Sequence, residues 1–177
     1  MTQQLSCSCG QVQLQLEKSP ILTAECHCTS CRTAAAQLQQ LPAAAQVLEA
    51  NGGTAFVLYR KDRVQFTRGF ALLKEHRLTE TSPTRRVVAS CCNTPVFLEF
   101  ERGHWLSIYS RLWPEAIRPA IELRTMTSDL ADASALPNDV PNARHQSFGF
   151  MAKLLVAWIA MGFRVPKIEI GGQPIRA

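Results

Sequence analysis

The sequence lacks several features by which common functional classes are recognised. No GxGxxG or Walker-type phosphate-binding motif occurs, so nucleotide binding is not indicated. The four histidines, at positions 27, 76, 104 and 145, show no spacing typical of a serine or cysteine hydrolase. Residues 1–6 contain neither a positive charge nor an apolar run. We therefore expect no secretory signal and a reducing, cytosolic compartment.

The charge excess is small. The 177 residues include 19 Lys and Arg against 14 Asp and Glu, which gives a formal net charge of +5, and 46% of them are hydrophobic. This length and composition are typical of about one globular domain with an ordinary core. Seven thiolates that hold two divalent metal ions would lower the formal charge by three. The remaining excess is too small to indicate a nucleic-acid partner.

The seven cysteines occur in three short clusters, which are Cys7-Ser-Cys9, Cys26-His-Cys28-Thr-Ser-Cys31 and Cys91-Cys92. An odd number of cysteines at such tight spacing favours metal binding over disulfides. Turns of the Cys-x-Cys and Cys-x-x-Cys type present two sulfurs about 3.7 Å apart to a zinc ion at about 2.3 Å from each. The sequence therefore predicts Zn²⁺, two ions per chain.

Cys26, Cys28 and Cys31 supply three sulfurs from one loop, which leaves a fourth coordination position for another ligand, as in catalytic zinc sites. His27 lies inside this loop, but an extended loop would turn its side chain away from the sulfurs. A simpler alternative is that the cysteines are small buried side chains of the core. Iron–sulfur ligation would require four cysteines for each cluster.

Cys7 and Cys9 form half of a second site, and the remaining thiols are Cys91 and Cys92. Neighbouring residues of a strand point to opposite faces, so both reach one ion only if the chain turns there. A turn at Asn93-Thr-Pro95 would allow it. Alternatively, Cys92 alone completes the site, and Cys91 lies near the second metal, remains free or pairs with Cys92 in a redox-active disulfide.

The chain up to about residue 110 alternates apolar and polar residues in short segments typical of strands. A helix interrupted near Pro42 is predicted within residues 34–48, and an irregular connection over 128–142. Residues 148–163 are apolar apart from Lys153, and they are too few for a transmembrane helix, which needs about 20. This segment is predicted to be a helix that packs on the β domain, pairs with a second copy in a homodimer, or lies on a membrane surface beside flanking cations.

The cysteine pattern Cys7-Ser-Cys9-Gly, Cys26-His-Cys28-Thr-Ser-Cys31-Arg and Cys92-Asn-Thr-Pro resembles that of the glutathione-dependent formaldehyde-activating enzymes and their centromere-protein-V relatives. The resemblance covers roughly residues 5–110. It implies a mainly β fold, the β-tent, in which two small sheets meet at zinc. It also implies a structural zinc at Cys7, Cys9 and Cys92 and a catalytic zinc at the 26–31 loop.

Two positions depart from the family pattern. Ala89 replaces the first cysteine of the expected Cys-x-x-Cys, and Asn93 replaces the expected glycine, so Cys91 becomes a candidate ligand of the structural zinc. The family pattern does not include the apolar C-terminal run. We therefore predict a zinc-binding β domain over residues 1–127, followed by a connection and helix over 128–177.

The resemblance implies a carbon–sulfur lyase-type enzyme that adds formaldehyde, or a related small aldehyde, to the thiol of glutathione. Such a substrate carries carboxylates, and among the cations near the predicted loops Arg32 is the candidate to bind one. The alternative hypothesis is a non-catalytic zinc module that associates with a protein or a membrane surface.

Overall fold

The fold consists of two sheets and two helices. The computed structural model describes residues 2–171, 174 and 175. Its strands are β1 (Thr2–Ser6), β2 (Gln13–Glu17), β3 (Leu22–Cys26), β4 (Thr54–Arg60), β5 (Val64–Arg68), β6 (Leu73–His76), β7 (Thr84–Ala89), β8 (Thr94–Phe100), β9 (Trp105–Tyr109) and β10 (Leu123–Thr125). Its helices are α1 (Thr29–Leu38) and α2 (Phe148–Ile159).

The smaller sheet has the strand order β1-β2-β5, with antiparallel pairing throughout. In β2, Leu14 and Leu16 are buried while the intervening polar residues are partly exposed. This is the period-two pattern that the sequence predicts, and it gives the sheet one face for the core. Gly10 closes the β1–β2 turn at φ +75°, a left-handed conformation that favours glycine.

The larger sheet has the strand order β10-β3-β4-β9-β8-β7-β6. All its pairs are antiparallel except β10 with β3, where Thr125 lies beside Cys26 in the register. One face packs on the smaller sheet through a core that includes Val57, Phe97 and Ile108. The other face packs under α1 and α2. Both helices therefore lie on the side of the sheet away from the smaller sheet.

A mainly β fold of two sheets with an added C-terminal helix is confirmed, although the second sheet is larger than expected. The helix predicted within 34–48 instead spans Thr29–Leu38, so the predicted part beyond Pro42 is not helical. It begins at Thr29 because Cys28 accepts a hydrogen bond from the backbone N–H of Cys31 and caps it. Strands β6 and β10 were not predicted.

Helix α2 begins where the apolar run begins and is capped by Ser147, whose Oγ accepts a hydrogen bond from the backbone N–H of Phe150. Phe150 and Leu154 are buried in the core, so one face of α2 belongs to the fold. In the described part of the chain, no helix combines the length and the hydropathy that crossing a bilayer requires. The domain boundary at residue 127 remains a prediction.

Candidate metal centres

The first cysteine group, the four-cysteine cluster, joins two turns that are far apart in sequence. Its members are Cys7, Cys9, Cys91 and Cys92, whose sulfurs all lie within 4.8 Å of one another. Cys7 and Cys9 come from the β1–β2 turn of the smaller sheet. Cys91 and Cys92 come from the β7–β8 turn of the larger sheet. The cluster therefore lies where the two sheets approach each other.

The sulfur separations in this cluster match those around one tetrahedral zinc ion. Cys7 Sγ lies 3.6 Å from Cys9 Sγ and 3.8 Å from Cys91 Sγ. Cys91 Sγ lies 3.4 Å from Cys9 Sγ and 3.8 Å from Cys92 Sγ. Zinc–sulfur bonds of about 2.3 Å in a tetrahedron separate the sulfurs by about 3.7 Å. The donor set and its geometry therefore fit zinc, with both vicinal cysteines within reach.

The vicinal cysteines reach the same place because the chain turns between β7 and β8. The backbone N–H of Cys92 donates to Ala89 O at 3.2 Å, and Asn93 adopts φ 54°. This left-handed conformation is one that asparagine tolerates better than most residues do, and it occurs where the family pattern has glycine. Thr94 Oγ1 lies 3.1 Å from Cys92 Sγ and 2.9 Å from Ser8 Oγ, which ties the two turns together.

The second group, the three-cysteine cluster, consists of Cys26, Cys28 and Cys31, and its three sulfurs also lie within 4.8 Å of one another. Cys26 ends β3, Cys28 caps α1 and Cys31 lies in the first turn of α1. Among the described residues, no fourth histidine, cysteine or carboxylate joins this group. Three sulfurs fit zinc as ligands and leave one coordination position for a ligand from outside the chain.

The three thiols of this cluster differ in pKa. Hydrogen bonds from Cys26 and Cys31 lower the pKa of Cys28 well below the usual value of a thiol, and the same interaction with Cys28 raises the pKa of Cys26. The backbone N–H of Cys31 points at Cys28 Sγ from the helix N-terminus, which also favours a negative charge there. The cluster is therefore suited to carry thiolates.

A buried polar network supports the cysteine loop from behind. His27 is fully buried, and its Nε2 lies 2.8 Å from Glu25 Oε1. The same oxygen accepts from Asn51 Nδ2 at 2.7 Å and from Arg124 Nε at 3.0 Å. Burial alone would raise the pKa of Glu25, but hydrogen bonds from His27 and Asn51 lower it below the usual value. The histidine between the cysteines therefore orients the loop and is not part of the sulfur group.

A cavity of about 290 Å³ adjoins the three-cysteine cluster. All three cysteines line it, together with Ser30, Thr125 and Gln146 and a mainly apolar wall formed by Ala24, Phe56, Leu58, Leu98, Phe100, Trp105, Met126 and Phe150. A larger cavity of about 710 Å³ has no cysteine in its lining. The smaller cavity is therefore the one from which a molecule could reach the three sulfurs.

The cation predicted to bind a substrate carboxylate lies elsewhere, as do two other buried side chains. Arg32 does not line the cavity, and its Nη2 donates to the backbone oxygen of Asp129 at 2.8 Å. Lys61 is buried with Glu99, at 2.5 Å between Nζ and Oε1. The role of Arg32 toward a substrate carboxylate remains a prediction. His104 Nε2 donates to Leu154 O at 2.8 Å, and His104 does not line the cavity.

The charged residue that does line the cavity is Arg86, which the sequence analysis did not single out. It lies in β7 opposite Leu98 of β8, and Leu98 lies opposite Ser107 of β9. All three therefore share the face of the sheet that carries the cavity. Neighbouring residues of a strand point to opposite faces, so Arg85 and Arg86 must lie on different faces of the sheet, but the sequence does not indicate that the face of Arg86 is buried.

Comparison with known proteins gives one family match and a partial likeness to a solved structure. A crystal structure of a Rhodobacter sphaeroides protein is similar in part, with 13% sequence identity and a TM-score of 0.46 over 79% of this chain and 99% of that one. No curated protein sequence gives a significant match. The model of the family described as glutathione-dependent formaldehyde-activating enzyme matches residues 2–123. Because that match spans well over half of the sequence and includes both cysteine clusters, the chain belongs to the glutathione-dependent formaldehyde-activating enzyme family.

Proposed function

We propose that the protein is a zinc-dependent enzyme of the carbon–sulfur lyase type, which adds a small aldehyde such as formaldehyde to the thiol of a small molecule. In this addition a carbon–sulfur bond forms, the π bond of the carbonyl breaks, and the thiol proton ends on the carbonyl oxygen. The family description names glutathione and formaldehyde. One observation carries the proposal: three cysteines without a fourth ligand among the described residues face a cavity.

The two clusters support different roles. When bound, zinc supplies Lewis acidity that favours the thiolate form of a sulfur ligand or polarises a carbonyl oxygen. Cys26, Cys28 and Cys31 would hold the catalytic ion, and Cys7, Cys9, Cys91 and Cys92 would hold the structural one, because four sulfurs complete a tetrahedron. The apolar wall of the cavity excludes water from the reacting groups, and the buried Glu25–His27 pair keeps the loop in place.

The test uses the full chain purified without oxygen. We expect two zinc ions per chain by mass spectrometry. We also expect exchange between free and thiol-bound ¹³C-formaldehyde, followed by NMR, to be at least tenfold faster than without protein. A chelator should abolish this acceleration and added zinc should restore it. A fully metal-loaded protein that fails to accelerate the exchange for every thiol tested would refute the enzyme proposal.

A second candidate role, association through α2, is favoured by a row of exposed apolar side chains on that helix and just beyond its C-terminal end. The row consists of Phe148, Met151, Leu155, Val156, Ile159 and Phe163, and Phe148 is 90% exposed. Arg102 lies beside it, and Arg164 and Lys167 follow it and are exposed. An apolar row flanked by cations matches a membrane surface with anionic lipids, on which α2 would lie without crossing it.

We expect the protein to sediment with vesicles of phosphatidylcholine and phosphatidylserine, and at least tenfold less of it with phosphatidylcholine alone. Leu155→Glu should abolish sedimentation because it places a negative charge in the apolar row. Ile117→Glu changes an equally exposed apolar residue outside α2 and should have no effect. Light scattering that reveals a dimer lost in Leu155→Glu would instead assign the row to a second copy.

A further inference from the structure

Arg86 is a buried cation whose hydrogen-bonding capacity is only partly used. The residue is 1% exposed. Its Nη2 donates to Ser30 Oγ at 2.7 Å and to Ser30 O at 3.2 Å. Its Nε and Nη1 are buried and have no hydrogen-bond partner among the described residues. Unused donors on a buried charge cost free energy unless a ligand supplies an acceptor.

No carboxylate among the described residues forms an ion pair with Arg86. In the part of the chain that the structure describes, every ion pair within 4.0 Å involves other residues. The neighbouring Arg85, by contrast, contacts Glu75 at 3.1 Å and Glu99 at 2.6 Å. The two arginines differ in their partners because neighbouring residues of a strand point to opposite faces of the sheet, so Arg85 lies on the other face.

The rest of the cavity is mainly apolar. Arg86 is its one basic residue, no carboxylate lines it in the described part of the chain, and its other ionisable groups are the three thiols. Phe56, Trp105 and Phe150 contribute aromatic surface. A volume of about 290 Å³ lies at the small end of ligand cavities, which run from about 300 to 1,000 Å³.

This lining is poorly matched to glutathione. That tripeptide carries two carboxylates and an ammonium group, so enclosing all of it in the cavity would require two cationic partners and one anionic partner to replace the water that it loses. The cavity offers one cation and no carboxylate. An apolar molecule with a single carboxylate would leave neither charge unpaired.

We propose that Arg86 is a specificity-determining residue, which selects a small thiol with an apolar body and one carboxylate in preference to glutathione. This inference rests on the proposed function, because it names the thiol that the three-cysteine cluster would receive. The carboxylate accepts hydrogen bonds from the unpartnered donors of Arg86, and the apolar body packs against the aromatic side chains of the cavity.

The first experiment needs no zinc chemistry. Binding of 3-phenylpropanoate and of the neutral 3-phenylpropan-1-ol to the full chain is measured by calorimetry. We expect the carboxylate to bind about 10- to 100-fold more tightly than the alcohol, as a charge-assisted hydrogen bond predicts. Arg86→Met should bring the ratio close to one. Arg68→Met, which removes an exposed arginine from β5, should leave the ratio unchanged.

The ratio of the two affinities distinguishes recognition of the carboxylate by Arg86 from a role of Arg86 in supporting the fold. General loosening of the cavity would weaken both probes alike and would not change it. Ser30→Ala removes a partner of Arg86 but keeps its charge, so the ratio should stay within twofold of the original. An unchanged ratio in Arg86→Met, or an equal loss in Ser30→Ala, would overturn the inference.

The second experiment compares two thiols in the formaldehyde exchange measurement. We expect kcat/KM for 2-mercapto-3-phenylpropanoate to exceed that for glutathione at least tenfold. Faster exchange with glutathione would overturn the substrate class and leave the enzyme proposal standing. If neither thiol is a substrate, the enzyme proposal fails, while the binding ratio of the two phenylpropyl probes still decides the role of Arg86.

Discussion

Replacing Cys28 with serine is expected to lower the zinc content from two ions per chain to one and to reduce adduct formation more than 100-fold. Cys28 is the sulfur that the other two thiols and the N-terminus of α1 stabilise as a thiolate, so its loss leaves two sulfurs for the metal. Even residues that only support metal ligands cost about 10- to 100-fold when they are removed. Metal analysis and formaldehyde exchange measure the two effects.

The matched control is Thr29→Ala, a change at the next position, where the side chain is exposed and caps nothing. It should retain two zinc ions and full activity. The circular dichroism spectrum of Cys28→Ser should match that of the original protein, because the core between the two sheets contains no residue of the loop. Two zinc ions in Cys28→Ser would contradict the assignment of the three-cysteine cluster as a metal site.

Replacing Cys7 with serine is expected to destabilise the whole fold. Cys7 is buried in the core between the sheets, and the backbone N–H of Val12 donates to its sulfur at 3.3 Å. With metal bound, the four-cysteine cluster would cross-link two turns that are more than 80 residues apart in sequence. Losing a natural disulfide cross-link of a small domain costs about 2–5 kcal/mol. A similar loss would lower the Tm by roughly 5–20 °C.

Thermal unfolding followed by circular dichroism tests this, with Cys28→Ser as the comparison because it also removes one zinc ion. The three-cysteine cluster joins residues at most five positions apart, so its loss frees little chain entropy and the Tm should fall much less. Equal falls in Tm for the two variants would show that the clusters do not divide into a structural and a catalytic one.

Local patterns predicted strand β2 and the close approach of the cysteines within each tightly spaced cluster. The alternation around Leu14 and Leu16 and the tight cysteine spacings are determined by neighbouring residues, so they can be read from a short window. The sequence alone does not decide whether Cys91, Cys92 or both lie close to Cys7 and Cys9, because this depends on the left-handed turn at Asn93. With that turn, both sulfurs come close to Cys7 and Cys9.

Features that depend on distant pairing were missed. Strand β10 has three residues and exists because it pairs in parallel with β3, about 100 positions earlier. Strand β6 (Leu73–His76) shows no clear alternation between apolar and polar residues. The burial of Arg86 depends on its place opposite Leu98 in the sheet, and a pair of adjacent arginines otherwise suggests a solvent-exposed surface. Such positions are set by tertiary structure and not by local propensity.

The cavity is lined by two parts of the chain, one that the family model matches and one that it does not. Every cysteine of the two clusters lies within residues 2–123, the part that matches the family, whereas Thr125, Met126, Gln146 and Phe150 lie beyond it. Substitutions at these four positions would therefore change one side of the cavity, and with it the small molecule that fits, while both cysteine clusters stay the same. Proteins that share these cysteines need not share a metabolic role.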